Sequence, residues 1–72
     1  MMTVLETISA LQLNNSKLIR QIRELQSEIT LDIVFYKNDY MRDDLLNINE
    51  ILIKLVEINC EHIKRLFDIY KL

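Results

Sequence analysis

Cys60, His62 and the adjacent carboxylates Asp43 and Asp44 are the side chains whose types could perform chemistry. A cysteine and a histidine two residues apart do not share a helical face, and a zinc site needs about four ligands at recognisable spacing. Cys60 stands in an apolar run, which favours a small core-type thiol over a nucleophile. Adjacent aspartates diverge on a helix and are poorly placed for paired acid–base work. The sequence therefore predicts no catalytic residue, no metal site and no cofactor.

The composition indicates a single small all-α domain covering residues 1–72. Half of the 72 residues are apolar, and Gly, Pro and Trp are absent, which suits continuous helix and leaves no turn chemistry for hairpin strands or phosphate loops. A chain of this length buries little surface by itself. We therefore expect it to work with a partner.

The net charge and the single cysteine limit which classes of partner and which cellular compartment we expect. The net charge of −2 lacks the basic excess that nucleic-acid binding requires. No uncharged apolar run reaches the length of a membrane span, and the first residues lack the basic start of a secretory signal. A lone cysteine cannot form an internal disulfide. We expect a cytoplasmic protein without nucleic acid as a partner and without a membrane span.

Apolar residues in the first half recur at alternating steps of four and three, which predicts one face of a helix over about residues 3–36. The row is interrupted by Asn15 and comprises Val4, Ile8, Leu11, Leu18, Ile22, Leu25 and Ile29. An alternative interpretation is that Leu13-Asn14-Asn15-Ser16 caps and splits this helix. Continued past residue 31, the row would meet Asp32, Asp39 and Asp43, so it ends there.

A second row predicts another helix over about residues 41–71. It comprises Leu45, Ile48, Leu52, Leu55, Asn59, His62, Leu66 and Ile69. Its frame is displaced by two residues from the first, so a break between the rows is expected. The turn is predicted at about 37–40, near Asn38 and Asp39, because Asn tolerates a helix end and Asp can cap a helix start.

A short connection predicts an antiparallel two-helix hairpin that resembles a coiled coil. With the bend between Asn38 and Asp39, Ile22 faces Leu55 and Asn15 faces His62. Leu18 then faces Asn59, so the polar residues of the two rows gather at one level. A polar layer of this kind fixes the register of a coiled coil. The predicted layer within the hairpin is Asn15, Asn59 and His62. The weaker alternative is one long parallel coiled coil.

A further apolar row on the second helix supplies the functional prediction. It comprises Ile53, Val56, Cys60, Ile63, Phe67 and Tyr70, and Ile51 and Ile58 widen the apolar arc on the opposite flank. One helix cannot cover this much apolar surface, and an uncovered patch of several hundred Å² marks an interface. These six residues are the predicted partner-binding residues.

With these elements placed, the chain resembles the small co-chaperones of type III secretion needle subunits. The resemblance covers nearly the whole length: the start at Thr3-Val4-Leu5-Glu6, the run Gln21-Ile22-Arg23-Glu24-Leu25, an acidic connection bearing tyrosines, and the end at Ile69-Tyr70. The second half departs from that pattern in being unusually rich in Ile and Asn.

This resemblance implies a non-enzymatic helical hairpin in the bacterial cytoplasm. Such a protein binds a tetratricopeptide-like chaperone, and the pair holds the needle subunit unpolymerised. The competing prediction is a homodimer, a self-complementary four-helix bundle with a structural or regulatory role.

Overall fold

The chain folds into two antiparallel α-helices that pack along their length. The computed structural model describes residues 3–31, 33 and 39–72. Helix α1 is Val4–Leu31, helix α2 is Asp39–Tyr70, and the molecule measures 50 × 18 × 14 Å. The all-α hairpin prediction is confirmed, and the long parallel coiled coil is wrong because side chains 44 and 45 residues apart bond across the two helices.

Helix α1 begins at a side-chain cap. Thr3 Oγ1 accepts a hydrogen bond from the backbone N–H of Glu6 at 3.2 Å and donates one to the Glu6 carboxylate at 3.1 Å. This pairing of a threonine with a glutamate three residues later satisfies an N–H that the helix leaves free, and it places an acid where the helix dipole favours one.

No break occurs in α1 at Asn14 and Asn15, so the alternative of a split helix is wrong. Asn15 points across to α2, as described below, and does not cap a new helix. The Ser16 hydroxyl donates to the carbonyl oxygen of Gln12 in the preceding turn at 3.2 Å. Ser and Asn in mid-helix are tolerated when their polar groups bond in this way.

Helix α2 starts at Asp39, two residues before the predicted boundary, so Asp39 and Tyr40 are helical and not part of a turn. The predicted turn positions 37 and 38, and positions 32 and 34–36 of the predicted first helix, lie outside the described residues. At its other end, Lys71 has a positive φ of 52° and the Leu72 N–H donates to the Phe67 carbonyl oxygen at 3.1 Å. This is the left-handed helix ending that usually employs glycine.

We call the buried and half-buried residues of each helix that face the other helix its contact row. The contact row of α1 matches the sequence prediction. The buried residues of α1 are Ile8, Asn15, Leu18 and Ile29, and its half-buried residues are Val4, Thr7, Leu11, Ile22 and Leu25. Apart from Thr7, every one belongs to the predicted row or is its polar interruption. One stripe of α1 therefore faces α2, and the remaining large apolar side chains of α1, such as Leu5 and Ile19, are exposed.

The contact row of α2 differs from the prediction. Its half-buried residues are Arg42, Leu45, Asn49, Leu52, Val56, Asn59, Ile63 and Leu66, whereas Ile48, Leu55, His62 and Ile69 are exposed. The helix is turned by about 50° from the expected orientation, at 100° per residue. Turning it this way places the β-branched Val56 and Ile63 between the helices and leaves the His62 imidazole in solvent, where its polar atoms are hydrated.

Candidate protein-binding faces

A cluster of polar side chains sets the level at which the two helices meet. Asn59 Nδ2 donates to Asn15 Oδ1 at 2.9 Å and to Asn14 Oδ1 at 2.7 Å. Asn15 Nδ2 in turn lies 3.4 Å from the Cys60 sulfur. Asn15 is 8% exposed, so its carboxamide needs these partners.

The register of the helices consequently differs from the expected one. Asn15 was expected to face His62, with Leu18 facing Asn59. Asn15 bonds Asn59 instead, a displacement of three residues or about 4.5 Å at about 1.5 Å per residue. His62 is exposed and lies outside this layer. A carboxamide is both donor and acceptor, so Asn59 donates to Asn14 and Asn15 while Asn15 donates to the Cys60 sulfur, and these groups share the level without the imidazole.

The predicted partner-binding row is divided between two environments. Val56 and Ile63 are half-buried against α1 and belong to the hairpin itself. Ile53, Phe67 and Tyr70 are 37%, 39% and 55% exposed, and Cys60 is exposed as well. Only these last four remain accessible to another molecule.

The hairpin has two broad faces, one on each side of the plane that contains both helix axes. Each face is formed by the residues that lie beside the contact row on that side of each helix. Gln21, Glu24 and Glu28 of α1 line one groove together with Ile48 and Leu52 of α2, so these flanks of the two helices share a face. The residues on the other side of each contact row then share the second face. They each follow a contact-row residue by one position and recur every seven residues along the helix.

We call this other side the apolar face. It comprises Leu5 and Ile19 from α1, and Leu46, Ile53, Cys60 and Phe67 from α2. The large side chains in this set are between 37% and 63% exposed. Both helices contribute to the apolar face, and on α1 Gln12 and Gln26 occupy the alternating positions of the same flank. The sequence identified Ile53, Cys60 and Phe67, but it did not show that Ile19 lies beside them.

The groove face has one polar and one apolar wall. Its polar wall is formed by Gln21, Glu24 and Glu28, and its apolar wall by Ile48, Ile51, Leu55 and Ile58. The apolar wall repeats at steps of three and four, which is a signal that the sequence contained. The sequence analysis assigned Ile48 and Leu55 to the hairpin interior and Ile51 and Ile58 to a flank, because the orientation of α2 was not known.

The total surface shows how much of the chain stays uncovered. Its accessible area is 5878 Å², whereas a compact folded protein of 8.7 kDa exposes about 4,700 Å². The excess of about 1,100 Å² exceeds the roughly 800 Å² that each partner contributes to a standard protein–protein interface. Among the described residues, no side chain reaches less than 2% exposure.

Within residues 3–31, 33 and 39–72, no group of three or more His, Cys, Asp or Glu side chains is arranged to hold a metal ion. The described helices also contain no stretch that is long and apolar enough to cross a membrane. Among these residues, the features that stand out are the two faces.

Comparison of the chain with protein-family models, with curated proteins and with solved structures found no match.

Proposed function

We propose that this chain is a non-enzymatic protein-binding subunit whose apolar face is covered by a helical partner. The observation that carries the proposal is that both helices place exposed apolar side chains on that face. Ile19 of α1 and Ile53 of α2 are 39% and 37% exposed on the same side of the hairpin. Contiguous apolar surface on this scale marks an interaction site, whereas single exposed hydrophobic residues do not.

The partner that we propose is a tetratricopeptide-like chaperone and, through it, a type III secretion needle subunit in the bacterial cytoplasm. The resemblance of the sequence to needle co-chaperones supports this assignment. So does the shape of the molecule, since a rod of 50 × 18 × 14 Å suits the extended concave surface that stacked helical repeats present. An amphipathic helix lying in a hydrophobic groove is a recurring mode of protein recognition.

Co-expression with a tetratricopeptide-type chaperone of a type III secretion system tests the proposal. Co-elution in gel filtration is the first readout, and titration calorimetry of the purified pair is the second. Ile53→Asp and Phe67→Asp should each lower the affinity by roughly 100-fold, because a carboxylate would be buried against apolar side chains without a partner.

Leu13→Asp is the matched control. Leu13 is 58% exposed on the outer side of α1, away from both faces, so this variant should bind like the unaltered chain. The proposed interface is wrong if Ile53→Asp keeps full affinity, or if Leu13→Asp loses as much affinity as Ile53→Asp does.

Self-association is the second candidate, and the composition of the apolar face favours it specifically. Both helices present aliphatic side chains there, so two copies can stack these faces into a four-helix bundle. Sedimentation equilibrium at micromolar concentration distinguishes the two functions. A helical, cooperatively melting dimer that Ile53→Asp dissociates supports the homodimer. A chain that is poorly helical until the chaperone is added supports the binding subunit.

A further inference from the structure

The groove face has a chemistry that the apolar face lacks. A groove of about 300 Å³ runs between the helices on this side, lined by Gln21, Glu24, Leu25, Glu28, Ile48 and Leu52. Leu25 and Leu52 are half-buried and form its floor. Glu24 and Glu28 are exposed along one rim, and Ile48 is 46% exposed on the other.

The walls extend beyond the groove in the same pattern. On α2, Ile51, Leu55 and Ile58 continue the apolar wall and are 57%, 42% and 59% exposed. Asp44, four residues before Ile48, adds a further acid on this flank near the bend. On α1, Lys17 follows Gln21 on the same flank toward the other end. On these two flanks the acids therefore lie nearer the bend than Lys17 does, and the cation at the same end, Arg42, is half-buried in the contact row of α2.

We propose that the groove face binds an amphipathic helix that carries lysine or arginine along one edge of its apolar stripe. The apolar stripe covers Ile48, Ile51 and Leu55, while the cationic edge lies against Glu24 and Glu28. Charge complementarity selects this partner, because cations are attracted to the acidic rim and anions are repelled from it. A helix suits this groove because the exposed side chains of the α2 wall form a row into which the side chains of another helix can interdigitate. Packed helices lie about 8–10 Å apart between axes, so a third helix can contact both α1 and α2.

This second site lies on the opposite side of the hairpin from the apolar face. Its existence does not depend on the proposed function. If both sites are occupied, the chain connects two proteins, with α2 contributing apolar side chains to each.

A designed peptide provides the test on the full-length chain. The probe is a Leu/Ala amphipathic helix of about 18 residues, or five turns, with lysines along one edge. A counterpart with glutamates in place of the lysines is measured beside it by fluorescence anisotropy at low salt. The lysine peptide should bind more tightly, and added salt should reduce the difference.

Charge reversal of the rim supplies the decisive comparison. The double variant E24K/E28K should weaken binding of the lysine peptide by about tenfold and strengthen binding of the glutamate peptide, since exposed charge pairs contribute modestly and reversal makes them repulsive. The matched control is E57K/D68K, which changes the net charge equally on the outer strip of α2 and should leave both affinities unchanged. Far-UV circular dichroism verifies that each variant keeps its helices.

Cys60 reports separately on the apolar face. It is the single cysteine of the chain and is exposed, so its rate of alkylation by iodoacetamide indicates whether that face is covered. Peptide bound in the groove should leave this rate unchanged, whereas a partner bound to the apolar face should lower it. The experiment therefore separates failure of this proposal from failure of the proposed function.

Three results would overturn the assignment. The first is equal affinity for the lysine and glutamate peptides at low salt. The second is protection of Cys60 by the lysine peptide, which would place it on the apolar face. The third is a dimer of the chain that E24K/E28K dissociates, which would make a second copy the occupant of the groove.

Discussion

The two helices of this hairpin differ in how much of their apolar surface the fold uses. Helix α1 has three buried apolar side chains, Ile8, Leu18 and Ile29, and most of its other positions are polar. In the described part of α2 no residue reaches the same degree of burial, although this helix is the richer in isoleucine. A single narrow stripe on α1 cannot cover the broad arc on α2. We infer that α1 mainly stabilises the hairpin, whereas α2 both stabilises the hairpin and presents exposed apolar surface to other molecules.

Truncating one leucine on each helix should give the largest contrast. Leu18→Ala removes a side chain that is 9% exposed, whereas Leu55→Ala removes one that is 42% exposed. We expect Leu18→Ala to lower the free energy of unfolding by about 2–4 kcal/mol and Leu55→Ala by less than about 1 kcal/mol, because only the first leaves a cavity. Urea titration followed by far-UV circular dichroism measures both.

The same pair sharpens the functional contrast. Leu55→Ala should weaken binding of the lysine peptide while the hairpin stays folded. Equal destabilisation by the two variants would mean that α2 has no surplus apolar surface, which contradicts the comparison.

Two asparagines in the contact row of α2 should respond oppositely to one substitution. Asn59 is hydrogen-bonded to Asn14 and Asn15, whereas Asn49 Oδ1 is buried and has no hydrogen-bond partner among the described residues. Asn59→Leu should destabilise the hairpin by about 1–3 kcal/mol because it leaves the buried Asn15 Oδ1 without its hydrogen-bond donor. Asn49→Leu should stabilise it by roughly 1 kcal/mol, since an unsatisfied acceptor is replaced by apolar packing.

Thermal melting of the two variants beside the unaltered chain measures these shifts. A fall in melting temperature for Asn49→Leu would indicate that Asn49 finds a partner in solution. A rise for Asn59→Leu would show that the polar layer contributes register but no stability, as some buried polar groups do.

The smallest effect is expected at the start of α1. Thr3→Ala removes the hydroxyl that accepts from the Glu6 N–H and should lower stability by about 0.5–1 kcal/mol. The comparison variant is Thr30→Ala, whose hydroxyl donates to the Gln26 carbonyl oxygen in its own helix and whose loss should change stability by less than about 0.5 kcal/mol. Guanidinium titration resolves the two if several replicates are averaged. Identical midpoints would mean that the first turn of α1 frays and its cap is unused.

How far the sequence predicted the structure depended on the helix. On α1 only one row of positions is apolar throughout, so Leu18, Ile22 and Leu25 were assigned to the interior correctly. On α2 three neighbouring rows are apolar, and local periodicity does not choose among them. The choice depended on which row packs best against α1, and it placed Val56 and Ile63 inside and Leu55 outside.

The candidate faces were likewise only partly predictable from the sequence. Ile53, Cys60 and Phe67 were recognised as surplus because they lie outside any arrangement that one partner helix can cover. Pairing Ile19 with Ile53, and Glu24 with Ile48, requires knowing which flanks of the helices meet. That knowledge comes only from the packed structure.

By itself the sequence determined that the chain is helical, that the helical repeat changes frame between α1 and α2, and that its apolar surface exceeds what a hairpin can bury. These properties follow from composition and local spacing, which act through the backbone and the hydrophobic effect. The tertiary structure alone decided the rotation of α2, the level at which Asn15 meets Asn59, and the separation of the exposed surface into an apolar face and an acidic groove. Each depends on contacts between residues far apart in the chain, where mutual satisfaction of hydrogen bonds and packing of opposed side chains select one arrangement from several that local patterns permit.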